Sequence, residues 1–143
     1  MTDPKTATPE ETQELLESGY TYIDVRSEPE FEAGHVPGAL NVPISHRSPS
    51  GMTPNEDFVN VMEAAFPKDA ELVVGCKAGS RSKKAVGLLQ QAGFTNLVDM
   101  VAGFDGSRDA FGRPLPGWTG KSLPVETGTP EAQSYAAVRA RRG

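Results

Sequence analysis

The stretch that decides the fold is Val73-Val74-Gly75-Cys76-Lys77-Ala78-Gly79-Ser80-Arg81-Ser82. The apolar run at its start is typical of a strand that is buried on both faces of a parallel sheet. The small and basic residues after Cys76 predict a loop, and a helical pattern over 82–92 follows, with Gly93 as its cap. Because ligands bind at the carboxyl ends of parallel strands, this order places Cys76 at a candidate site.

The rest of the chain alternates between helix and strand patterns. Capping residues and helix breakers predict helices over 9–18, 28–33 and 54–65, and a last helix from Thr129 toward Arg139. Aromatic, β-branched or apolar runs predict strands over 20–25, 40–42, 71–75 and 96–101. Loops are expected over 43–52 and, with one short helix, over 105–121. Since parallel strands need crossover helices to join them, this pattern indicates an α/β fold with an open parallel sheet flanked by helices.

Length and charge limit the classes of function. A chain of 143 residues with 37% hydrophobic residues suffices for one compact domain. The formal net charge of -5 leaves no basic face of the kind that follows a phosphate backbone, so we expect no nucleic-acid partner. Residues 1–8 are polar and no run of about eighteen apolar residues occurs, so we expect no membrane segment and a cytoplasmic protein.

Cys76 is the single cysteine of the sequence, which excludes an intramolecular disulfide. Together with His35 and His46 it would make a poor zinc set, because the close ligand spacing of zinc sites is absent. We therefore expect neither a metal nor a cofactor. A lone cysteine after an apolar strand is more often an inert core residue than a nucleophile. An inert cysteine in a core strand would not require the small and basic residues from Gly79 to Ser82 after it. These residues therefore favour a chemical role for Cys76.

The backbone of this loop explains what a cysteine gains there. The N–H groups of the loop and of the first helical turn have no partner within the helix, so they can converge on an anion. An ordinary thiol with a pKa of about 8.5 is only about 3% ionised at pH 7. One helix terminus stabilises a nearby charge by only about 0.3 to 1 kcal/mol, which is too little to keep the thiol mostly ionised. We therefore expect several N–H groups, together with the charges of Lys77 and Arg81, to stabilise a thiolate at Cys76.

Several motifs of the sequence resemble those of the rhodanese domains. The run from Cys76 to Ser82 is similar to their active-site loop, and Asp24-Val25-Arg26 is similar to their first motif. Gly34-His35-Val36-Pro37-Gly38-Ala39 matches a second motif, and Gly103-Phe104 falls where the family has a glycine and an aromatic residue. The resemblance runs from about Thr8 to Val125. The family's typical sequence is shorter between Phe104 and Leu123, so the segment Arg108 to Gly120 is an insertion.

This resemblance implies a rhodanese-like sheet of five parallel strands within residues 1–125, followed by a C-terminal tail over 126–143 with room for a short helix. It also implies sulfur transfer in two steps. Cys76 takes the outer sulfur of a small anionic donor such as thiosulfate, releases sulfite, and passes the sulfur to a thiol or to cyanide. A protein could also serve as donor or acceptor. No general base is required, because the thiolate is itself the nucleophile.

The resemblance also suggests roles for residues around Cys76. Substrate binding is assigned to the rest of the loop, Lys77, Ala78, Gly79, Ser80, Arg81 and Ser82. Lys77 and Arg81 are the candidates for attracting an anionic donor. One alternative is that both are merely exposed loop charges. Another is that Arg81 clamps the loop. Similarity to the family favours a structural role for Asp24 and Arg26, with Arg26 paired to a carboxylate.

Histidines and aromatic residues outside the loop receive structural interpretations. His35 lies in a tight turn, where a histidine is more often a hydrogen-bonding element than a catalyst. His46 and Arg47 lie in the long loop after the second strand and could form part of the rim of the site. Trp118, in the insertion, is expected to be a packing residue or a pocket wall.

Two other functions stay open at this point. A phosphatase or arsenate reductase also places a cysteine and an arginine around an anion-binding loop. Phosphatases that resemble this chain have five residues between the two, whereas this chain has four, Lys77 to Ser80. The narrower ring of N–H groups favours sulfane sulfur over phosphate. A persulfide carrier or binding module that serves a partner desulfurase would use the same Cys76 chemistry, and kinetics with thiosulfate as sole donor would separate it from an enzyme.

Overall fold

The computed structural model describes residues 5–141, with the backbone alone for residues 47 and 48. Its helices are α1 (Pro9–Glu17), α2 (Glu28–Ala33), α3 (Phe58–Ala65), α4 (Ser80–Gln91) and α5 (Tyr135–Arg139). Two short 3-10 helices cover Thr119–Lys121 and Glu131–Gln133. The strands are β1 (Lys5–Thr6), β2 (Thr21–Asp24), β3 (Leu40–Asn41), β4 (Ser45–Ser48), β5 (Gly51–Pro54), β6 (Leu72–Gly75), β7 (Leu97–Asp99), β8 (Ser107–Arg108) and β9 (Pro114–Leu115).

Five of these strands form one parallel sheet in the order β1-β7-β6-β2-β3, which confirms the predicted fold class. Strand β6 lies at the centre of the sheet, and all four of its residues are buried. In the register between β2 and β6, Asp24 pairs with Gly75, so the two strands end side by side. Cys76 follows β6 directly and therefore lies at the middle of the carboxyl edge of the sheet.

Helices cover both faces of the sheet. One hydrophobic core joins Val74 and other sheet residues to α3, α4 and α5. The other core contains Val73 and Tyr22 and is closed by α1, α2 and Trp118. Because consecutive residues of β6 enter opposite cores, the strand needs apolar side chains at every position. This requirement explains the continuous apolar run in the sequence.

Helices α1 and α2 begin as the sequence predicts. Glu11 N–H donates to Thr8 Oγ1 at 3.1 Å, and Thr8 N–H donates to the Glu11 side chain at 2.9 Å, which completes the predicted capping box. Helix α2 covers the predicted range 28–33. Both starts depend on residues only three positions apart, so the sequence pattern alone is sufficient to place them.

The prediction of a loop over 43–52 is wrong, because β4 and β5 form an antiparallel hairpin there. Ser48 pairs with Gly51 across a two-residue turn, and Gly51 has a φ of +112°, a conformation that suits glycine in tight turns. The four residues of β5 are all exposed, so the strand has no apolar alternation to reveal it.

The predicted start of α3 at Pro54 is also wrong. Pro54 ends β5 and pairs with Ser45, and the helix begins only at Phe58. Tertiary hydrogen bonds hold Asn55 outside the helix, since its amide nitrogen donates to Pro43 O at 2.8 Å and to Tyr135 Oη at 2.9 Å. These partners are distant in sequence, so they override the local capping pattern at Thr53.

Three elements near the ends of the chain differ from the predictions. Strand β1 completes the five-stranded sheet at its edge. The sequence pattern did not locate this strand, because it consists of two polar residues. The predicted loop over 105–121 contains the hairpin β8–β9 besides one 3-10 helix. The predicted last helix is divided into a 3-10 helix at Glu131–Gln133 and α5, which is capped by Ser134.

The C-terminal residues pack against the rest of the protein. Tyr135 and Val138 of α5 are buried in the core with α3 and α4. Glu126 and His35 exchange backbone hydrogen bonds of 2.8 and 2.9 Å. The division of the chain at residue 125 stays a prediction.

Candidate active site

Cys76 lies where β6 ends, and the protein encloses its side chain almost completely. The residue is 1% exposed and belongs to the core that α3 and α4 cover. The backbone N–H of Gly79 donates to its Sγ at 3.1 Å. The sulfur is therefore buried, and an amide of the loop is directed at it.

The turn at Gly103-Phe104 fixes the orientation of the loop. Phe104 N–H donates to Cys76 O at 2.8 Å, and Asp105 N–H donates to Lys77 O at 3.0 Å. In a trans peptide the C=O and N–H groups point in opposite directions. The N–H groups of Lys77 and Ala78 therefore point away from this turn, which leaves them available on the other side of the loop.

Two glycines allow this close approach of the loop to its neighbours. Gly79 has a φ of +98°, and a Cβ added to it would lie 2.5 Å from Val101 O. Gly103 has a φ of +77°, and a Cβ there would collide with the backbone of Lys77. Both positions combine a left-handed backbone with a lack of space, so only glycine fits them without strain.

Helix α4 begins at Ser80, two residues before its predicted start. The first backbone hydrogen bond of the helix runs from Lys83 N–H to Gly79 O at 3.2 Å. The N–H groups of Ser80, Arg81 and Ser82 therefore precede the ladder of the helix. They lie at the positive end of the helix dipole, next to the loop that carries Cys76.

Ser82 uses its side chain inside the protein. It is fully buried, and its Oγ lies 2.8 Å from Asp99 Oδ1 and 3.1 Å from Gly79 O. Burial raises the pKa of Asp99, and the hydrogen bond from Ser82 opposes this rise. The hydroxyl thus ties the start of α4 to β7, and any contact of Ser82 with a substrate would have to come from its main chain.

Arg81 forms a bidentate ion pair with Glu30 of α2. Its Nη1 and Nη2 donate to the two carboxylate oxygens at 2.7 and 3.0 Å. The Arg81 hydrogen bond is the main reason why the pKa of Glu30 is lowered to about 2. Glu30 also accepts hydrogen bonds from the N–H and hydroxyl of Ser27, which completes the capping box of α2. Of the roles predicted for Arg81, the geometry matches the clamp on the loop.

Two other cations near the loop, Lys77 and Arg26, also have carboxylate partners. Lys77 is exposed, and its Nζ lies 3.9 Å from Asp105 Oδ2. Arg26 is buried and paired with Asp24 at 2.7 Å, as expected for a structural role. Its guanidinium also stacks 4.4 Å from the ring centre of Phe104. Positive charge around the site is therefore largely neutralised by neighbouring carboxylates.

A groove of about 810 Å³ lies beside the loop. Its walls include side chains from α2, the hairpin β4–β5 and the loop, namely Ser27, Glu30, Ser45, Met52, Lys77 and Arg81. The segment after the second predicted strand thus forms a rim, although as a hairpin and not as a loop. The His46 ring lies 5.7 Å from the ring of Tyr135, so it packs toward α5. The side chain of Arg47 lies outside the described residues.

His35 and Trp118 are parts of the protein interior. The His35 ring is fully buried, stacks on Phe31 at 3.8 Å, and has Phe31 O and Glu126 Oε1 at 2.8 Å from its two nitrogens. Trp118 is 2% exposed, and its Nε1 donates to Pro124 O at 2.6 Å. Both residues therefore have the structural roles that the sequence suggested.

Sequence reasoning missed the two carboxylates of the site. Glu30 carries a local signal, because it stands three residues after Ser27 in a capping box. Its pairing with Arg81, 51 positions away, has no such signal. Asp105 directly follows the Gly103-Phe104 motif, but only the fold brings it beside Lys77.

Within residues 5–141 the helices are all too short or too polar to cross a membrane. The same residues hold no group of three or more His, Cys, Asp or Glu side chains that could bind a metal ion.

The fold and site define an α/β protein with a cysteine at the end of its central parallel strand, in a six-residue loop that leads into a helix. The sequence pattern of the rhodanese-like domain matches residues 8–110. This match covers most of the chain, which therefore belongs to the rhodanese-like domain family.

Individual relatives agree with this assignment. Thiosulfate sulfurtransferase 16, chloroplastic, from Arabidopsis thaliana is 44% identical over 91 residues, which are 64% of this chain and 76% of the relative. Senescence-associated protein DIN1 from Raphanus sativus is 39% identical over 114 residues, which are 80% of this chain but only about half, 56%, of the relative. The crystal structure of Rv0390 from M. tuberculosis superposes with a TM-score of 0.72 at 26% identity, covering 89% of this chain and all of the other. At the level of the family, these similarities support sulfurtransferase activity.

Proposed function

We propose that the protein is a sulfurtransferase that moves sulfane sulfur from a donor such as thiosulfate to a thiol or cyanide acceptor through a persulfide on Cys76. The observation that carries this proposal is the N–H of Gly79 directed at Cys76 Sγ, next to the N–H groups at the start of α4 that precede the hydrogen-bond ladder of the helix. Backbone donors of this kind stabilise a sulfur anion without a proton transfer. Cys76 carries one negative charge before and after each step, as a thiolate or as a persulfide.

The first step attaches the sulfur. The Cys76 thiolate attacks the outer sulfur of thiosulfate, a new sulfur–sulfur bond forms, and the bond to the central sulfur breaks. Sulfite leaves with its two negative charges, and the persulfide keeps one, so charge is conserved. The groove lined by Lys77, Ser80 and Arg81 is the proposed entry for the donor.

The second step removes the sulfur. An acceptor thiolate or cyanide attacks the outer sulfur of the persulfide, and Cys76 leaves as a thiolate. The leaving thiolate accepts the hydrogen bond that the Gly79 N–H donates to Cys76 Sγ in the structure. No general base is needed in either step.

A Cys-based phosphatase or arsenate reductase is the weaker alternative. Such an enzyme would use the arginine of the loop to hold the anion, whereas Arg81 is engaged by both oxygens of Glu30. Turnover of p-nitrophenyl phosphate without thiosulfate activity would reverse this ranking. A cytoplasmic location stays a prediction, because several relatives are named as chloroplastic or mitochondrial proteins.

Intact-mass spectrometry after incubation with thiosulfate tests the proposal. We expect one added sulfur on the wild-type protein, its loss on addition of cyanide with formation of thiocyanate, and no added sulfur on Cys76→Ser. An added sulfur that persists in Cys76→Ser would place the chemistry elsewhere. A turnover with thiosulfate far below about 1 per second would favour a carrier that receives sulfur from a partner protein.

A further inference from the structure

A second groove lies on the other flank of the active-site loop. It has a volume of about 600 Å³, and its walls include Ala78, Asp105, Ser107, Arg108, Pro114 and Leu115. It shares none of its lining residues with the groove beside Arg81. Ala78 is two residues from Cys76, so their Cα atoms are at most about 7 Å apart. This groove therefore borders the loop that carries the reactive sulfur.

One wall of this groove is the segment Arg108 to Gly120, which the resemblance to the family predicts to be an insertion. The strands β8 and β9 pair there, and Asp109 closes the turn between them by accepting the N–H groups of Phe111 and Arg113 at 2.9 Å each. The base of the hairpin is joined to the loop, because Asp105 N–H donates to Lys77 O. This segment is thus a folded wall of the groove, and hydrogen bonds connect it to the active-site loop.

Arg108 supplies a charge in this groove that other described residues do not neutralise. Its Nη1 donates to Gly112 O at 2.8 Å, and among residues 5–141 it forms no ion pair. The neighbouring cations Lys77, Arg81 and Arg113 each have a carboxylate partner. The remaining N–H groups of Arg108 are therefore available for an anion from outside the chain.

We propose that this groove binds the carboxylate of an acidic thiol acceptor, and that Arg108 is the residue that recognises it. This inference rests on the proposed sulfur transfer through Cys76. A guanidinium binds carboxylates through paired, charge-assisted hydrogen bonds, which gives both affinity and direction. The apolar side chains of Pro114 and Leu115 can cover the methylene groups between the carboxylate and the thiol.

The reaction in this arrangement is balanced. The thiolate of the bound acceptor attacks the outer sulfur of the Cys76 persulfide, and one sulfur–sulfur bond forms while the other breaks. Cys76 leaves as a thiolate, and the acceptor leaves as a persulfide with the same total charge. The acceptor is either a small thiol acid or a cysteine next to acidic residues in a peptide. Phe111, 82% exposed at the tip of the hairpin, would add contacts only for a peptide.

Acceptor kinetics on persulfide-loaded protein test the proposal, with 3-mercaptopropionate compared with its neutral amide. We expect Arg108→Gln to lower kcat/KM about five- to tenfold for the acid, as the loss of a charge-assisted hydrogen bond at an exposed site implies. For the amide and for cyanide we expect less than about a twofold change, since the lost interaction is with the carboxylate. Because each acceptor is compared between two proteins, differences in the reactivity of the thiols cancel.

Three variants separate recognition from structure. Arg108→Lys keeps the charge and should restore most of the preference for the acid, whereas Lys84→Gln removes an exposed charge on α4 and should change nothing. If peptides are the acceptors, Phe111→Ser should have lower activity toward a cysteine peptide with acidic neighbours. Its activity toward 3-mercaptopropionate should be unchanged. An equal loss for the acid and the amide in Arg108→Gln would mean that Arg108 only holds the hairpin, and it would overturn the proposal.

A binding measurement distinguishes this inference from the proposed function. NMR titration of Cys76→Ser protein with 3-mercaptopropionate needs no sulfur transfer. Shifts around Ala78 and Ser107 that disappear in the Cys76→Ser, Arg108→Gln double variant would support the groove even if transfer failed. Titration curves that are the same with and without Arg108 would overturn the groove and leave the chemistry of Cys76 intact.

Discussion

At position 79 the backbone donates a hydrogen bond to the sulfur of Cys76. Gly79 has a φ of +98°, and its N–H reaches Cys76 Sγ at 3.1 Å. A Cβ would lie 2.5 Å from Val101 O, so the loop would have to move. We expect Gly79→Ala to lower kcat/KM for thiosulfate at least about tenfold and to destabilise the fold by about 1 to 3 kcal/mol. Thiocyanate formation and urea unfolding measure the two effects.

Gly19→Ala is the matched control for this substitution. Gly19 has a φ of +113°, but no atom lies within 4 Å of an added Cβ. It should therefore lose about 1 kcal/mol through the backbone alone and keep full activity. Wild-type activity in Gly79→Ala would show that the sulfur site does not need this backbone geometry.

The Glu30–Arg81 pair predicts a pH dependence of stability. The pKa of Glu30 is lowered to about 2, first by the hydrogen bond from Arg81. A carboxyl whose pKa falls on folding stabilises the protein above its unfolded pKa of about 4.3, and this stability is lost as the pH falls toward about 2. Glu30→Gln should therefore be less stable at neutral pH and show a shallower loss between about pH 5 and 2. Urea midpoints across this range measure the difference.

Glu28→Gln provides the comparison, because Glu28 is exposed in the first turn of the same helix. It should follow the wild-type dependence on pH. Parallel curves for Glu30→Gln and wild type would mean that the clamp does not contribute to folding stability. Glu30→Gln should also slow sulfur transfer, since it releases Arg81 and with it the start of α4.

Among the secondary-structure elements, α5 tests the predicted division of the chain at residue 125. Tyr135 and Val138 are buried, and burying such side chains contributes about 1.5 to 3 kcal/mol each. A chain that ends at Val125 should therefore lose about 3 to 6 kcal/mol, a large part of the 5 to 15 kcal/mol typical of a domain. Urea unfolding against a chain that ends at Arg141 measures this. Equal midpoints would show that the tail is dispensable, as the predicted division implies.

The elements also show which parts of the fold can be predicted from local sequence patterns. The starts of α1 and α2 and the apolar run of β6 are local patterns, and they were predicted closely. The hairpin β4–β5 was missed, since exposed strands have no apolar alternation. The start of α3 was misplaced because the tertiary bonds of Asn55 override the capping pattern before it.

The candidate site divides in the same way. The loop from Cys76 to Arg81 is contiguous, so its motif and its place after a buried strand were visible in the sequence. The partners of its cations, Glu30 and Asp105, come from other elements, and no spacing rule connects residues so far apart. The resemblance predicts that Arg108 to Gly120 is an insertion, but the role of this segment as a groove wall depends on the pairing of β8 with β9.

For the whole molecule, the distribution of charge predicts how thiosulfate reaches the site. The protein has a formal net charge of -5. Three cations near the loop are paired with carboxylates, namely Arg26 with Asp24, Lys77 with Asp105 and Arg81 with Glu30. A thiosulfate dianion is therefore repelled by the molecule as a whole and meets little unpaired positive charge at the entrance to its groove. The encounter should be slowed at low ionic strength, where the repulsion is least screened.

Salt should consequently accelerate the reaction with thiosulfate. The Debye length falls from about 30 Å at 0.01 M to about 8 Å at 0.15 M ionic strength, which removes most of the repulsion. We expect kcat/KM for thiosulfate to rise at least about twofold over this range, while the step with cyanide, which is mostly neutral hydrogen cyanide at neutral pH, stays nearly constant. Asp105→Asn should increase kcat/KM at low salt and weaken its dependence on salt, because it leaves Lys77 unpaired. A fall in kcat/KM with added salt would mean that the cations of the loop, and not the net charge, control the approach of the donor.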